Sequence, residues 1–227
     1  ENNINLQEYI AKYEKDWGSV EEEYQKRAEA IFKVELPKDI TAYLTINNRC
    51  PYNIEENYFF VSVPASSVRR TIMHELFHFY TWYAFGEKLT GQGVSKEKYN
   101  DIKESLTVIL NMEFSDLMNG VVDVGYPQHK EMRAEITRLW AENKDLDKVL
   151  EALVKISTNQ DKLKLQIQEL LGKDIRQFVL KGKGDCNYAY YVETGDGSKY
   201  IVKQEREHKE TEDQNDLVVE GNLLQKL

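Results

Sequence analysis

The sequence His74-Glu75-Leu76-Phe77-His78 constrains this chain more than any other stretch, because its spacing has a clear meaning only on a helix. Residues four positions apart lie one turn apart on the same helical face, so both imidazoles can reach one metal ion. Glu75 is rotated by about 100° from His74 and would lie beside the metal, where it can accept a proton from a water molecule. The spacing therefore predicts a helix that carries a metal site.

The surroundings of this motif favour a metal site over an accidental pairing of polar residues. The stretch from Ile72 to Phe85 is rich in aromatic residues, whereas an accidental pair would more often lie on a charged, solvated helix. Polar groups buried without partners cost free energy, and a metal ion would supply the partner. The helical spacing of the aromatic residues favours a core role for them over a specificity pocket.

The composition excludes several classes of protein. A content of 41% hydrophobic and 30% charged residues is typical of a soluble globular protein, and no apolar run reaches the length of a membrane span. The net charge of −9 and the lack of a basic patch argue against a nucleic-acid partner. No signal peptide is visible, and Cys50 and Cys186 are interpreted as free thiols, so a cytoplasmic location is expected.

The order of predicted elements indicates an α+β fold with a boundary near residues 172 to 175. Residues 1–172 are expected to form a small, mostly helical domain with a short antiparallel sheet. Its predicted helices cover 5–32 (broken near Gly18), 68–87, 96–111, 127–143, 146–156 and 160–171, and its predicted strands cover 40–46 and 58–63. Residues 176–227 are expected to form a three-stranded β-meander and a final helix over 216–227.

A catalytic zinc ion usually takes three protein ligands, so the two histidines need a partner. Glu104 is the best choice, because it lies on a predicted helix beside the apolar stripe that contains Ile102 and Leu106. Its carboxylate should therefore point toward the interior.

Two alternatives to this ligand stay open. An aspartate could take its place, with Asp101 or Asp116 as the residue. Glu104 could instead face solvent and pair with Lys103 or Lys98, as surface carboxylates usually do.

On these residues the chain resembles the gluzincins, the HExxH metallopeptidases whose third zinc ligand is a glutamate, and most of all their single-domain form, the minigluzincins. The resemblance covers residues 40–111. It implies a zincin-like domain with His74, His78 and Glu104 as zinc ligands and Glu75 as general base. It also implies that the strand bearing Tyr58, Phe59, Phe60 and Val61 is the sheet edge along which an extended peptide substrate binds.

The chain departs from this family at one position. Gluzincins often carry an acidic residue four positions after the ligand glutamate, where it orients a histidine. That position is Val108 here. Asp116, Asn111 or a backbone carbonyl would have to hold the imidazole instead.

The implied reaction is hydrolysis of a peptide bond, and a non-peptide amide is the alternative substrate. A tetrahedral oxyanion needs a hydrogen-bond donor in addition to the metal. His129 at the start of a predicted helix and Tyr126 just before it are the candidates, although His129 could equally be a surface or capping residue.

Residues 176–227 resemble a different family, the N-terminal lobe of kinase-like aminoglycoside and choline phosphotransferases. The resemblance rests on the order of a turn with Gly182 and Gly184, a strand with Lys203, and a helix with Glu220. It implies that the glycine turn covers the phosphates of ATP and that Lys203 pairs with Glu220. The sequence reaches Leu227 before any catalytic loop, so phosphoryl transfer is not expected from it.

Three functions follow from the sequence. The first is a zinc endopeptidase, which we favour. The others are a nucleotide-binding fragment of a phosphotransferase-like protein, and a metal-stabilised interaction domain without catalytic activity.

Overall fold

Helices and two small sheets make up the chain, which confirms the predicted α+β class. The computed structural model describes residues 5–47, 49–63, 65–183, 187–205 and 217–221. Two compact units divide the chain, residues 1–155 and 156–227. No helix in these described ranges is long and apolar enough to cross a membrane.

The first unit consists of helices around one short sheet. Its helices are α1 (Leu6–Gly18), α2 (Glu21–Phe32), α3 (Val68–Thr81), α4 (Glu87–Gly91), α5 (Lys96–Leu106), α6 (Val108–Glu113) and α7 (Lys130–Asn143). A π-helical turn (Trp82–Gly86) joins α3 to α4, and a 3₁₀ turn (Pro127–His129) precedes α7. The predicted break near Gly18 is the junction of α1 and α2.

Helix α3 lies at the centre of this unit, so its aromatic residues form core. Phe77, Phe79 and Tyr80 are buried. Phe32 of α2 packs between two of them, with its ring centroid 4.7 Å from that of Phe77 and 5.4 Å from that of Tyr80. Large buried aromatic rings dominate the packing energy of a core, and here they fix the orientation of the helix that carries the histidine motif.

The sheet of the first unit is mixed, whereas the sequence predicted an antiparallel one. Its strands are β1 (Thr41–Thr45), β2 (Tyr52–Asn53) and β3 (Tyr58–Ser62), in the spatial order β1-β3-β2. Strand β1 runs parallel to β3, and β2 runs antiparallel to it. The reason is that β2 lies between β1 and β3 in the chain and pairs with the edge of β3 opposite to β1.

Helix α8 (Leu146–Leu171) is continuous, although two helices were predicted. The polar stretch Ser157-Thr158-Asn159-Gln160 looked like a break, but it contains neither glycine nor proline, so a helix can pass through it. Leu153 belongs to the core of the first unit, while Leu163 and Ile167 belong to that of the second. The division between units thus falls within α8, whereas the sequence placed a boundary near 172 to 175.

The second unit contains an antiparallel sheet of β4 (Ile175–Lys183), β5 (Asn187–Thr194), β6 (Lys199–Glu205) and β7 (Leu217–Gly221), paired in that order. The first three strands confirm the predicted meander. The predicted final helix is wrong over 217–221, which form β7. The run Leu217-Val218-Val219 has the β-branched content that strands favour. Pairing with β6 provides hydrogen-bond partners for its backbone.

Candidate metal centre

Helix α3 presents the histidine motif on a single face. The helix begins after Ser67, whose hydroxyl accepts a hydrogen bond from the backbone N–H of Arg70. The imidazole ring centroids of His74 and His78 lie 4.5 Å apart, as the spacing predicts. Glu75 lies beside them and is only 7% exposed. Both rings and the carboxylate are therefore held by a helix that packs in the core of the first unit.

Helix α5 brings Glu104 to the two histidines. Ile102 and Leu106 are fully buried and turn this face of α5 toward the core. The Oε2 atom of Glu104 lies 3.6 Å from Nε2 of His74, and its Oε1 atom lies 3.4 Å from Nε2 of His78.

These separations can be compared with those around a zinc ion. Ligand atoms at about 2.0–2.2 Å from a tetrahedral zinc lie roughly 3.3–3.6 Å from one another. One ligand atom from each of His74, His78 and Glu104 lies within 4.8 Å of the other two, so this group could hold a metal ion. Oε2 of Glu104 is buried and has no hydrogen-bond partner among the described residues, as expected of an atom that a metal would bind.

Neither aspartate considered as a substitute ligand belongs to this group. Asp116 forms a two-oxygen ion pair with Arg27, with N–O distances of 2.9 and 3.0 Å. Asp101 lies 2.9 Å from Nε2 of His129. The solvent-facing alternative for Glu104 is half right, because Nζ of Lys103 does lie 3.0 Å from Oε1 of Glu104, but both side chains point inward.

Asp123 is the group that orients His74, and the sequence interpretation missed it. Its Oδ2 atom lies 2.8 Å from Nδ1 of His74. It is 2% exposed and lies in the loop between α6 and the 3₁₀ turn that precedes α7. A carboxylate bonded to the second ring nitrogen fixes both the orientation of a metal-binding histidine and its tautomer. The role left open at Val108 is therefore taken by a residue fifteen positions further along the chain.

A network of side chains holds Asp123 in turn. Asn111 donates to its backbone carbonyl at 2.8 Å and accepts from its backbone N–H at 2.7 Å. Arg133 lies 3.1 Å from Oδ1, which is also 2.9 Å from the hydroxyl of Thr107. Asn111, one of the groups predicted to hold the imidazole, therefore does not contact it but holds Asp123.

The buried charges shift the pKa values of the site. Burial opposes the charged form of His74, but the hydrogen bond to Asp123 and the nearby carboxylate of Glu104 raise its pKa to about 9. Burial lowers the pKa of His78 well below its usual range. Burial also disfavours the ionised form of Glu104, yet the two nearby histidines and the ammonium group of Lys103 keep its pKa well below the ordinary value.

The pKa of Glu75 is raised, whereas that of Glu104 is lowered. Burial is the main cause and raises the pKa of Glu75 to about 7, while the positive charge of His74 works against the shift. A carboxylate whose pKa lies near neutrality suits proton transfer at that pH.

Tyr126 and His129, the proposed oxyanion donors, have different surroundings. Tyr126 is 54% exposed; burial raises the pKa of its phenol, and so do the charges of Glu104 and Glu75. Its phenol therefore interacts electrostatically with the carboxylates of the site. His129 is buried, and its Nε2 atom is engaged by Asp101, which fits a positioning role for this residue better than a donor role.

The predicted substrate edge is wrong. Strand β3, with Tyr58, Phe59, Phe60 and Val61, lies between β1 and β2; it pairs with β1 along its whole length and with β2 at Tyr58 and Phe59. Phe59 and Val61 are also buried. The edge strand near the metal site is β2, where the ring centroid of Tyr52 lies 5.4 Å from that of His78.

The residues proposed to bind a nucleotide all belong to the second unit. Gly182 lies on β4 opposite Ala189, and Lys203 lies on β6. Glu220 lies on β7 opposite Ile201 rather than on a helix. Gly184 falls outside the described residues, as does Cys186. A helix carrying Glu220 was part of the resemblance to phosphotransferases, so this finding weakens the argument for ATP.

The chain was also compared with known proteins. Neither protein-family models, curated proteins nor solved structures gave a match.

Gly125 provides a test of the network behind His74. It has a positive φ of 67°, and a Cβ atom there would lie 2.7 Å from the guanidinium of Arg133. We expect Gly125→Ala to lower the free energy of unfolding by about 2 kcal/mol and to weaken zinc binding, because Arg133 must leave Asp123. Gly120→Ala is the matched control, since Gly120 has a φ of 73° but open space around it. Equal zinc affinity in the two variants, measured by competition titration, would contradict the role of Arg133.

Proposed function

We propose that this chain is a zinc-dependent endopeptidase. The observation that carries the proposal is the convergence of His74, His78 and Glu104, with Glu75 buried beside them. Two imidazoles and one carboxylate are a donor set that catalytic zinc ions use, and three protein ligands leave one position for water. A buried carboxylate next to that position is the remaining requirement for hydrolysis.

The chemistry divides between the metal and the side chains. Zinc bound here would polarise the scissile carbonyl and lower the pKa of its water to about 7. Glu75 accepts the proton of the attacking water and delivers it to the nitrogen of the leaving amine. Asp123 holds the ring of His74 through Nδ1, which would leave Nε2 free to bind the metal. Tyr126 is the proposed donor to the oxyanion.

An extended peptide is the proposed substrate, and strand β2 is the proposed place where it binds. An unpaired strand edge offers backbone hydrogen bonds to such a chain. Tyr52 connects this edge to the metal site through its contact with the ring of His78.

The direct test is cleavage of a mixed peptide library, read by mass spectrometry. We expect the zinc-loaded protein to cut the library, a chelator to abolish the cuts, and added zinc to restore them. A parallel library of non-peptide amides tests the alternative substrate class. A protein that holds one zinc ion per chain and cuts neither library would be a metal-stabilised domain without catalytic activity.

A further inference from the structure

Lys103 is the most unusual residue near the metal centre, because it is a lysine with only 4% exposure. Lysines are almost never buried unless their charge is paired. Its Nζ atom lies 3.0 Å from Oε1 of Glu104 and donates a hydrogen bond to the hydroxyl of Tyr52. It also lies 4.6 Å from the centroid of the Tyr52 ring. The ammonium group is thus fixed between a proposed metal ligand and the edge strand.

The two oxygens of Glu104 have different partners as a result. Oε1 is engaged by Lys103, whereas Oε2 is buried and has no hydrogen-bond partner among the described residues. Both oxygens lie near the histidines, with Oε2 3.6 Å from Nε2 of His74 and Oε1 3.4 Å from Nε2 of His78. A carboxylate in this position could bind a metal through one oxygen or through both.

The number of oxygens that bind decides how many positions remain at the metal. Binding through both oxygens would use a further coordination position, which a catalytic zinc keeps for water and substrate. An oxygen already hydrogen-bonded to an ammonium group is a poorer metal ligand, since the cation draws on the same lone-pair density. Lys103 therefore favours binding through Oε2 alone.

We propose that Lys103 is a positioning residue, which engages Oε1 of Glu104 so that this glutamate offers a metal ion only Oε2. Tyr52 keeps the ammonium group in place through its hydroxyl and its ring. The inference rests on the metal site of the proposed function but is independent of peptidase activity, because coordination can be measured without a substrate.

The test uses cobalt(II) in place of zinc, since the visible absorption of cobalt(II) reports its coordination number. We expect the unaltered protein to give the strong bands of four-coordinate cobalt. Lys103→Met keeps the length and helix preference of the side chain but removes the ammonium group. Its bands should weaken toward those of five-coordinate cobalt, because Glu104 then binds through both oxygens. Identical spectra in the two proteins would overturn the proposal, even if the variant is less stable.

Two further variants keep the test decisive. Tyr52→Phe leaves the ring but removes the hydroxyl, and should shift the spectrum in the same direction by a smaller amount; it also serves if Lys103→Met fails to fold. Glu104→Gln should lose most of its cobalt affinity. Unchanged cobalt binding in Glu104→Gln would remove Glu104 as a ligand and overturn the inference. Peptide cleavage without a spectral change would overturn the role of Lys103 alone and leave the proposed function standing.

Discussion

We expect Glu75→Gln to abolish peptide hydrolysis and to leave zinc bound. The side chain is buried, and its pKa is raised to about 7, so it can accept a proton near neutral pH and release it again. Glutamine has the same shape but cannot accept that proton. Removing a general base typically lowers the rate by about 10²- to 10⁴-fold. We therefore expect kcat/KM to fall by about 10³-fold, with one zinc ion per chain still found by elemental analysis.

An exposed glutamate provides the control for this substitution. Glu87 lies on the surface of α4, and Glu87→Gln should leave both zinc content and cleavage unchanged. Undiminished cleavage by Glu75→Gln would remove Glu75 from the role of base. Loss of zinc in that variant would mean that Glu75 acts as a ligand or supports the site structurally.

We expect Asp123→Asn to lower both the affinity for the metal and the stability of the fold, which is the second large effect. The carboxylate accepts from His74 and pairs with Arg133, which is itself buried. Loss of such a supporting carboxylate typically lowers zinc affinity by about 10- to 100-fold. It also leaves the charge of Arg133 uncompensated, which should lower the free energy of unfolding by about 3 kcal/mol. Competition titration with a zinc chelator and urea denaturation measure the two quantities separately.

Asp116→Asn is the matched control for this experiment, because Asp116 was one of the three groups that the sequence offered for the role that Asp123 has in the structure. Asp116 pairs with Arg27 and makes no contact with a histidine among the described residues. Its substitution should leave zinc affinity unchanged. If the two variants bind zinc equally well, then the contact between Asp123 and His74 has no part in metal binding.

The grouping of His74, His78 and Glu104 could be predicted from the sequence because their positions depend on local periodicity. The histidines share a face through the helical repeat, and Glu104 faces inward because Ile102 and Leu106 are apolar. Asp123 could not be found in this way. It lies in a loop without regular secondary structure, and only the folded chain brings it to His74. The one local signal was an acidic residue among Val121, Val122 and Val124.

The fold errors come from short elements and from pairing between distant strands. Strand β2 has two residues and directly follows Pro51, so no alternation marks it. Without β2, no pattern in the sequence indicates a third strand, so β3 was predicted to be an edge strand. The assignment of residues 217–221 to a helix failed because apolar residues in a short run fit either period, and pairing with β6 decides between them.

The shortness of strand β2 also has a consequence for how the proposed peptidase would discriminate between substrates of different length. In an antiparallel pair only alternate residues direct their N–H and C=O groups outward, so Tyr52 and Asn53 together present about one such residue. A peptide would gain about two main-chain hydrogen bonds there, worth roughly 1 kcal/mol each. So few bonds cannot distinguish a long chain from a short one. We expect short peptides to be cut about as fast as long ones, with the side chains next to the scissile bond setting the preference.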